Sequence, residues 1–364
     1  MGYEIDFLPV GEESKGGDAI ALRFGNLRGV REEQTVMVVD GGYTDCGDAL
    51  VEHIEKHYDT DRIDSVVSTH TDQDHICDLK TVQEKTQVGQ LLMHLPWEHS
   101  ATMERARTST YWRGQLNDPA RRMLEAAMEL EALARGRGVE VVEPFVGIGS
   151  KDGIFTVLGP SETYYEQLLT DLVGPTAKSA AQLNFEAMMR KILEAARKLV
   201  PETWLDETLR DDGTTTPTNN ASVVSLLDVD GVKVLLTGDA GILALTHIAD
   251  ALEDRGFTAG DLGFIQVPHH GSRNNVGPTV LDRLLGPAAN DITRGLAYVS
   301  APRKNPDNRH PAKKVTNAFL RRGYPVHATQ GASLLHRHDA PDRSGYGPAT
   351  PLPFHHMVED DGGA

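Results

Sequence analysis

Short runs of apolar residues, broken by acidic ones in the first, predict strands over 3–10, 18–23 and 36–39, the last ending in the turn Asp40-Gly41-Gly42. A helical period then covers 47–57, and a short apolar run predicts a strand over 63–67. The same logic predicts a strand over 89–94, a helix over 118–135 with Asp118 as N-cap, and short strands over 139–142 and 155–158. From 161 to about 210 the pattern turns helical, with Leu183, Met188, Ile192, Leu193 and Ala196 at helical spacing. This predicts an insertion that either caps a cleft or adds to the core. After a polar linker over 211–218, strands over 221–228 and 232–237 form a hairpin about Asp230-Gly231. Helices over 242–255, 281–285 and 312–322 then alternate with strands over 262–267, 295–299 and 326–329. Alternating strands and helices predict an α/β protein. One domain is expected over 1–338, followed by a loosely ordered tail over 339–364 rich in Pro, Gly and charge. His355 and His356 in that tail are read as incidental.

Composition narrows the class. An apolar fraction of 39% and a charged fraction of 24% over 364 residues suit a folded globular chain. The opening residues are acidic, and no apolar run approaches the ~18 residues of a membrane span. Two cysteines, Cys46 and Cys77, fit a reducing compartment better than a disulfide framework. A cytoplasmic protein that does not engage membrane is therefore expected. The net charge of −17 disfavours a broad nucleic-acid surface, because polyanions bind through Lys and Arg. It leaves open a small phosphate-containing ligand or a short nucleic acid in a cleft whose local field is reversed by cations.

The candidate chemistry lies at strand ends. Directly after 63–67 comes Ser68-Thr69-His70-Thr71-Asp72-Gln73-Asp74-His75, with two imidazoles and two carboxylates within six residues. On extended chain His70, Asp72 and Asp74 share a face while His75 turns aside, so one loop can serve two adjacent divalent cations. Two further strands end in Gly238-Asp239 and in Pro268-His269-His270-Gly271-Ser272. Loops at one sheet edge converge although they are distant in sequence.

With these motifs in order, the chain resembles the metallo-β-lactamase fold superfamily, whose usual His-x-His-x-Asp-His loop reads here His70-x-Asp72-x-Asp74-His75. It is similar in particular to the branch containing the nuclease-like domain of bacterial competence DNA-uptake channel proteins. The matching elements are Gly17-Asp18-Ala19, Asp40-Gly41-Gly42, Asn219-Asn220-Ala221-Ser222, Leu235-Leu236-Thr237-Gly238-Asp239, His269-His270-Gly271-Ser272 and His310-Pro311. The resemblance implies an αββα sandwich of two mixed β-sheets flanked by helices. It further implies two divalent metal ions, one on His70 and Asp72, the other on Asp74 and His75, with Asp239 bridging. His269 is expected as a remaining ligand, with His270 as its substitute. Asp74 and His310 are the expected catalytic residues, His310 protonating a leaving group or holding a phosphate oxygen; a core-facing or capping histidine is the alternative for His310. Asp40 is expected to orient a ligand histidine, and Asp18 to sit at the rim.

The pattern departs from the family in one respect. The stretch 201–236 lacks the further histidine that many members place before the bridging aspartate, and Asn220 is the nearest side chain to replace it. With Asp72 also standing where histidine is usual, oxygen donors gain weight. Mn²⁺ is thereby favoured, with Zn²⁺ or Mg²⁺ as alternatives. The expected activity is phosphodiester hydrolysis of a nuclease type, with Arg273, Arg303, Lys304 and Arg309 available to neutralise phosphate oxygens. The same fold also supports ester, thioester or lactam hydrolysis, and a non-catalytic metal-stabilised binding protein fits the same residues.

Overall fold

A computed structural model describes residues 1–11, 17–43, 45–173, 199–304 and 310–360. Its strands are β1 (Gly2–Phe7), β2 (Ala19–Gly25), β3 (Gln34–Gly41), β4 (Arg62–Val67), β5 (Gln87–Leu92), β6 (Glu140–Val142), β7 (Phe155–Gly159), β8 (Leu199–Pro201), β9 (Val224–Val229), β10 (Val232–Leu236), β11 (Leu262–Gln266), β12 (Leu296–Val299), β13 (Val326–Ala328), β14 (Leu334–His338) and β15 (Met357–Glu359). One sheet has the order β14-β1-β2-β3-β4-β5-β6 and the other β13-β12-β11-β10-β9-β7. Each joins antiparallel pairs, such as β1 with β2 and β9 with β10, to parallel ones, such as β3 with β4 and β10 with β11.

The two-residue period explains the layering. Tyr3, Ile5 and Phe7 of β1, Ile20, Leu22 and Phe24 of β2, and Met37 and Val39 of β3 share one buried cluster with Phe155, Val157, Leu227, Val234 and Phe264 of the other sheet. Phe264 packs edge-on against Tyr298 at 4.9 Å between ring centres. The intervening residues Ala19, Ala21, Val36 and Val38 face the other way, into a cluster with Leu50 and Ile54 of the helix Cys46–Tyr58 and Leu79 and Val82 of the helix Leu79–Lys85. Sheets packed face to face, with helices on the outer faces, form the expected αββα sandwich of two mixed sheets.

Three expectations change. The helix Asp118–Gly136 is capped by Asn117, whose Oδ1 accepts from the Ala120 amide at 2.9 Å, not by Asp118. The predicted insertion begins as the helix Glu162–Val173, but Leu199–Pro201 is a strand and no helix spans 202–210. Leu183, Met188, Ile192, Leu193 and Ala196 lie outside the described residues. The closing segment, expected to be loose, is packed as far as Asp360. There β15 pairs antiparallel with β8, and Val358 is fully buried. The main-chain amides of Lys313 and Lys314, at the start of the helix Lys313–Arg321, donate to the carboxylate of Glu359. His355 also belongs to this packing: its amide donates to Asn317 Oδ1 at 2.8 Å. No described helix is long and apolar enough to cross a membrane.

Arg343 fastens the same segment to the first strand. Its Nη1 donates to Asp6 Oδ1 at 2.7 Å and its Nη2 to Glu4 Oε2 at 2.6 Å, both carboxylates being buried on the helix side of β1. Burial alone would push the Asp6 carboxyl up, but His53 and Arg343 hold it below the usual range. A depressed carboxylate contributes stability that is present above its unfolded value of about 3.9 and is lost as pH falls through the folded value. Arg343→Met should therefore lower the unfolding free energy by about 2 kcal/mol at pH 7, since it removes the arginine shared by two buried carboxylates and leaves Glu4 to Arg23 and Asp6 to His53 and Tyr58. Urea denaturation checks this, and the deficit should shrink toward pH 3 as Asp6 becomes protonated.

Candidate metal centre

The C-terminal ends of β3, β4, β10 and β11 supply the side chains, as expected where strand-end loops gather at one edge. The β4 loop does not stay extended as predicted. Asp74 and His75 lie in the one-turn helix Gln73–Ile76, with the amides of His75 and Ile76 donating to the Asp72 carbonyl at 3.0 and 3.1 Å. Gly17 lies against this turn with φ +135°, and a Cβ there would stand 2.0 Å from the Asp74 carbonyl oxygen. The predicted Gly-Asp element at 17–18 is thus a close backbone approach beneath the loop.

Asp239 is the hub. Its Oδ2 lies 3.7 Å from His70 Nε2 and 3.5 Å from His269 Nε2, and its Oδ1 lies 3.3 Å from His75 Nε2 and 3.8 Å from His270 Nε2. Asp72 Oδ2 is 3.8 Å from His70 Nε2, and Asp74 Oδ2 is 3.6 Å from His270 Nε2 and 4.0 Å from His75 Nε2. Most of these separations are too long for hydrogen bonds. They match donors sharing a cation at about 2.1 Å, which sit roughly 3.4 Å apart in a tetrahedron. His70 Nε2, His75 Nε2, His270 Nε2 and Asp239 Oδ1 are buried with no hydrogen-bond partner. Buried polar atoms without partners are costly, so the residues present fit divalent cations. The two oxygens of Asp239 divide them into one set of His70, Asp72 and His269 and another of Asp74, His75 and His270.

That division corrects two expectations. His269 and His270 do not substitute for one another, since both reach Asp239. Asn220, expected in place of the missing histidine, instead accepts the Gly241 amide at 3.2 Å, and the imidazole beside His70 is His269. Neighbouring histidines reach opposite oxygens because both adopt left-handed backbone, φ 47° and 54°, leaving their rings 79° apart. Amide bonds from His269 to the Gly238 carbonyl and from Ser272 to the His269 carbonyl brace the turn.

A second layer sets the tautomers. Asp40 accepts from His75 Nδ1 at 2.7 Å, from the Thr69 amide at 2.8 Å and from Thr69 Oγ1 at 2.6 Å. Having given its proton to Asp40, Thr69 Oγ1 accepts from His70 Nδ1 at 3.0 Å. One carboxylate therefore turns both Nε2 atoms toward Asp239. Asn275 Nδ2 donates to the Asp239 carbonyl, which leaves its Oδ1 to accept from His269 Nδ1 at 2.9 Å. Ser222 Oγ accepts the Asp239 amide. Sequence reasoning gave roles to Asp40 but not to Thr69, Ser222 or Asn275, of which Thr69 and Ser222 lay within quoted motifs.

Asp18, expected at the rim, is buried behind the centre, where Gln266 Nε2 donates to it at 2.8 Å. One ligand atom from each of Asp18, His75, Asp239 and His270 lies within 4.8 Å of the others. The His310 ring faces that of His269 at 6.1 Å. Arg273 directs Nη1 to the Asp360 carbonyl, Arg303 and Lys304 are exposed, and Arg309 lies outside the described residues.

Charge in the centre is strongly coupled. Burial would raise Asp239, but His269, His75 and His270 hold it well below the usual carboxylate range. Burial opposes a charged His75, yet Asp239 and Asp40 lift it well above its ordinary value. His270 is lifted against burial to about 9, chiefly by Asp239 and Asp74. Asp74 would also rise on burial, and His270 and His75 hold it far down. For Asp18 burial wins, and its carboxyl is raised.

Residues 30–163, which include Asp40 and the His70 to His75 loop, match the family described as the metallo-beta-lactamase superfamily. The match spans 134 of the 364 residues, and members of that superfamily are mostly metal-dependent hydrolases. Similar solved structures include the metallo-beta-lactamase fold protein YhfI from Bacillus subtilis, at 9% identity over 93% of this chain and 100% of that one, with a TM-score of 0.42. Zn²⁺-bound PqqB from Methylobacterium extorquens shares 12% identity over 91% of this chain and 99% of its own, with a TM-score of 0.40. A long-form RNase Z from yeast shares 10% over 82% of this chain and 36% of its own, at 0.37. Comparison with curated proteins gives no match.

Asp40→Asn should weaken cation affinity by about 10–100-fold, because an amide cannot accept all three protons that Asp40 accepts. Equilibrium dialysis of the folded variant checks this. The raised imidazoles also fix a pH trend. Without cations, the ion pairs of His270 stabilise the fold fully below about 6.5, and this contribution is lost as pH rises through about 9. Cations must displace the same protons, so their affinity rises over that window. The thermal shift produced by added Mn²⁺ or Zn²⁺ should therefore widen from pH 6.5 to pH 9.

Proposed function

We propose that this domain is a dinuclear metal-dependent hydrolase that cleaves phosphodiesters in a small molecule or a short nucleic acid. The observation that carries the reading is the division at Asp239, whose two oxygens each face a separate pair of imidazoles. Two cations, when bound, would lower the pKa of attacking water and balance the charge of the attacked and leaving oxygens. His70, Asp72 and His269 would hold one and Asp74, His75 and His270 the other, with Asp239 between them.

The chain's own residues have separate tasks. Asp40 and Thr69 keep the Nδ1 protons of His75 and His70 turned away from the reacting side. Asn275 does the same for His269. His310, stacked beside His269, is positioned to hand a proton to the leaving oxygen. Asp72 and Asp74 are the most exposed of the candidate ligands, with side chains 43% and 37% accessible, and they mark the side from which substrate enters.

Two features favour phosphate chemistry over ester, thioester or lactam hydrolysis. Asp72 in place of the usual histidine adds an oxygen donor, which favours Mn²⁺ over Zn²⁺. The ordered motifs from Gly17-Asp18-Ala19 to His310-Pro311 are similar to those of the competence-protein nuclease-like branch. The net charge of −17 argues for a substrate held inside the cleft and not along a broad surface.

Metal-stripped protein refilled separately with Mn²⁺, Mg²⁺ or Zn²⁺ should hydrolyse a generic phosphodiester, fastest with Mn²⁺, and Asp239→Ala should fall to background. Turnover of a carboxyl ester or thioester with no phosphodiesterase activity would refute the substrate class. Two bound ions with no turnover on any substrate would point to a metal-stabilised binding protein.

A further inference from the structure

A second group of metal-capable side chains lies apart from Asp239, where the turn after β5, the segment after β6 and the helix Glu162–Val173 meet. His99 Nδ1 is 3.6 Å from Glu162 Oε1 and 3.7 Å from Glu166 Oε1. The two glutamates are four residues apart and so share one helix face. These three ligand atoms lie within 4.8 Å of one another.

What distinguishes the group from a solvated acidic face is His99. Its side chain is only 7% exposed, wedged edge-on against Phe145 and Tyr165 at 5.1 and 5.6 Å between ring centres. Nε2 is held by Glu143 at 3.0 and 3.1 Å, and Glu143 is itself fixed by the Leu95 amide at 2.8 Å. That bond places the ring proton on Nε2 and aims the Nδ1 lone pair between Glu162 and Glu166, at distances too long for hydrogen bonds to either. Among the described residues no Lys or Arg pairs with Glu143, Glu162 or Glu166. A carboxylate holding one imidazole nitrogen while the other faces open carboxylates is the arrangement that supports a bound metal ion.

We propose that His99, Glu162 and Glu166 bind a further divalent first-row cation, with water completing its coordination. One nitrogen and two carboxylate oxygens suit Zn²⁺ or Mn²⁺. The ion pins the Glu162–Val173 helix to the loops that follow β5 and β6.

The test compares zinc content in the metal-stripped full chain after equilibrium dialysis against Zn²⁺. Glu162→Gln/Glu166→Gln should bind one equivalent less than the unaltered protein while keeping its hydrolytic activity and circular dichroism spectrum. His99→Gln, which keeps a polar side chain, should lose the same equivalent. Asp239→Ala should lose other equivalents and retain this one, so the outcome does not depend on what the Asp239 centre holds. Equal zinc in the unaltered protein and in both His99 and glutamate variants overturns the proposal.

Discussion

A carboxylate taken out of water must be compensated, and three of them, Asp18, Asp40 and Asp239, are buried within one small volume where the two sheets meet. Each is treated differently. Asp40 is saturated by ordinary hydrogen bonds from Thr69 and His75. Asp18 receives a Gln266 amide, and burial raises its carboxyl above the usual range. Asp239 is surrounded by imidazoles at distances that bond poorly to it directly. The layout around it therefore makes physical sense as a frame for positive charge supplied from outside the chain. The glycine approach at Gly17, the tandem-histidine turn and the Asn275 brace all serve that frame.

Much of this was legible in the sequence, because its two main signals are local. Short apolar runs marked β1 to β4, Asp230-Gly231 marked the β9–β10 hairpin, and the crowding of His70, Asp72, Asp74 and His75 marked a cation site. Asp40 was expected as an orienting residue from the family resemblance of the Asp40-Gly41-Gly42 turn. Other parts depend on distant partners. No local rule distinguishes His269 from His270, since their left-handed backbone is imposed by the Gly238 carbonyl and the following turn. Thr69 and Asn275 acquire their roles only when β3, β4 and β10 align. The closing segment appeared loose because its composition is polar, yet its charges are answered by Asp6, Glu4 and the start of the Lys313–Arg321 helix.

The tandem-histidine turn has a cost. Two successive non-glycine residues in the left-handed region lose roughly 1–2 kcal/mol each. The gain is economy of chain: one turn delivers an imidazole to each side of Asp239, where the superfamily pattern usually draws them from separate segments. This explains how the stretch 201–236 can lack a histidine without leaving the His70 side of the centre short of nitrogen.

The pairing of β14 with β1, with Tyr3 opposite His338 and Phe7 opposite Leu334, bears on how the molecule is made. While the ribosome is still adding residues, β1 has β2 on one side and an open edge on the other, and Glu4 and Asp6 lack Arg343. The strand β1 must wait for 327 to 335 further residues before each of its partners in β14 is made, from Phe7 with Leu334 to Tyr3 with His338. Completion of the larger sheet, and the burial of its charged strand, therefore comes late in synthesis, so shorter ribosome-bound fragments should expose a strand edge that chaperones can recognise.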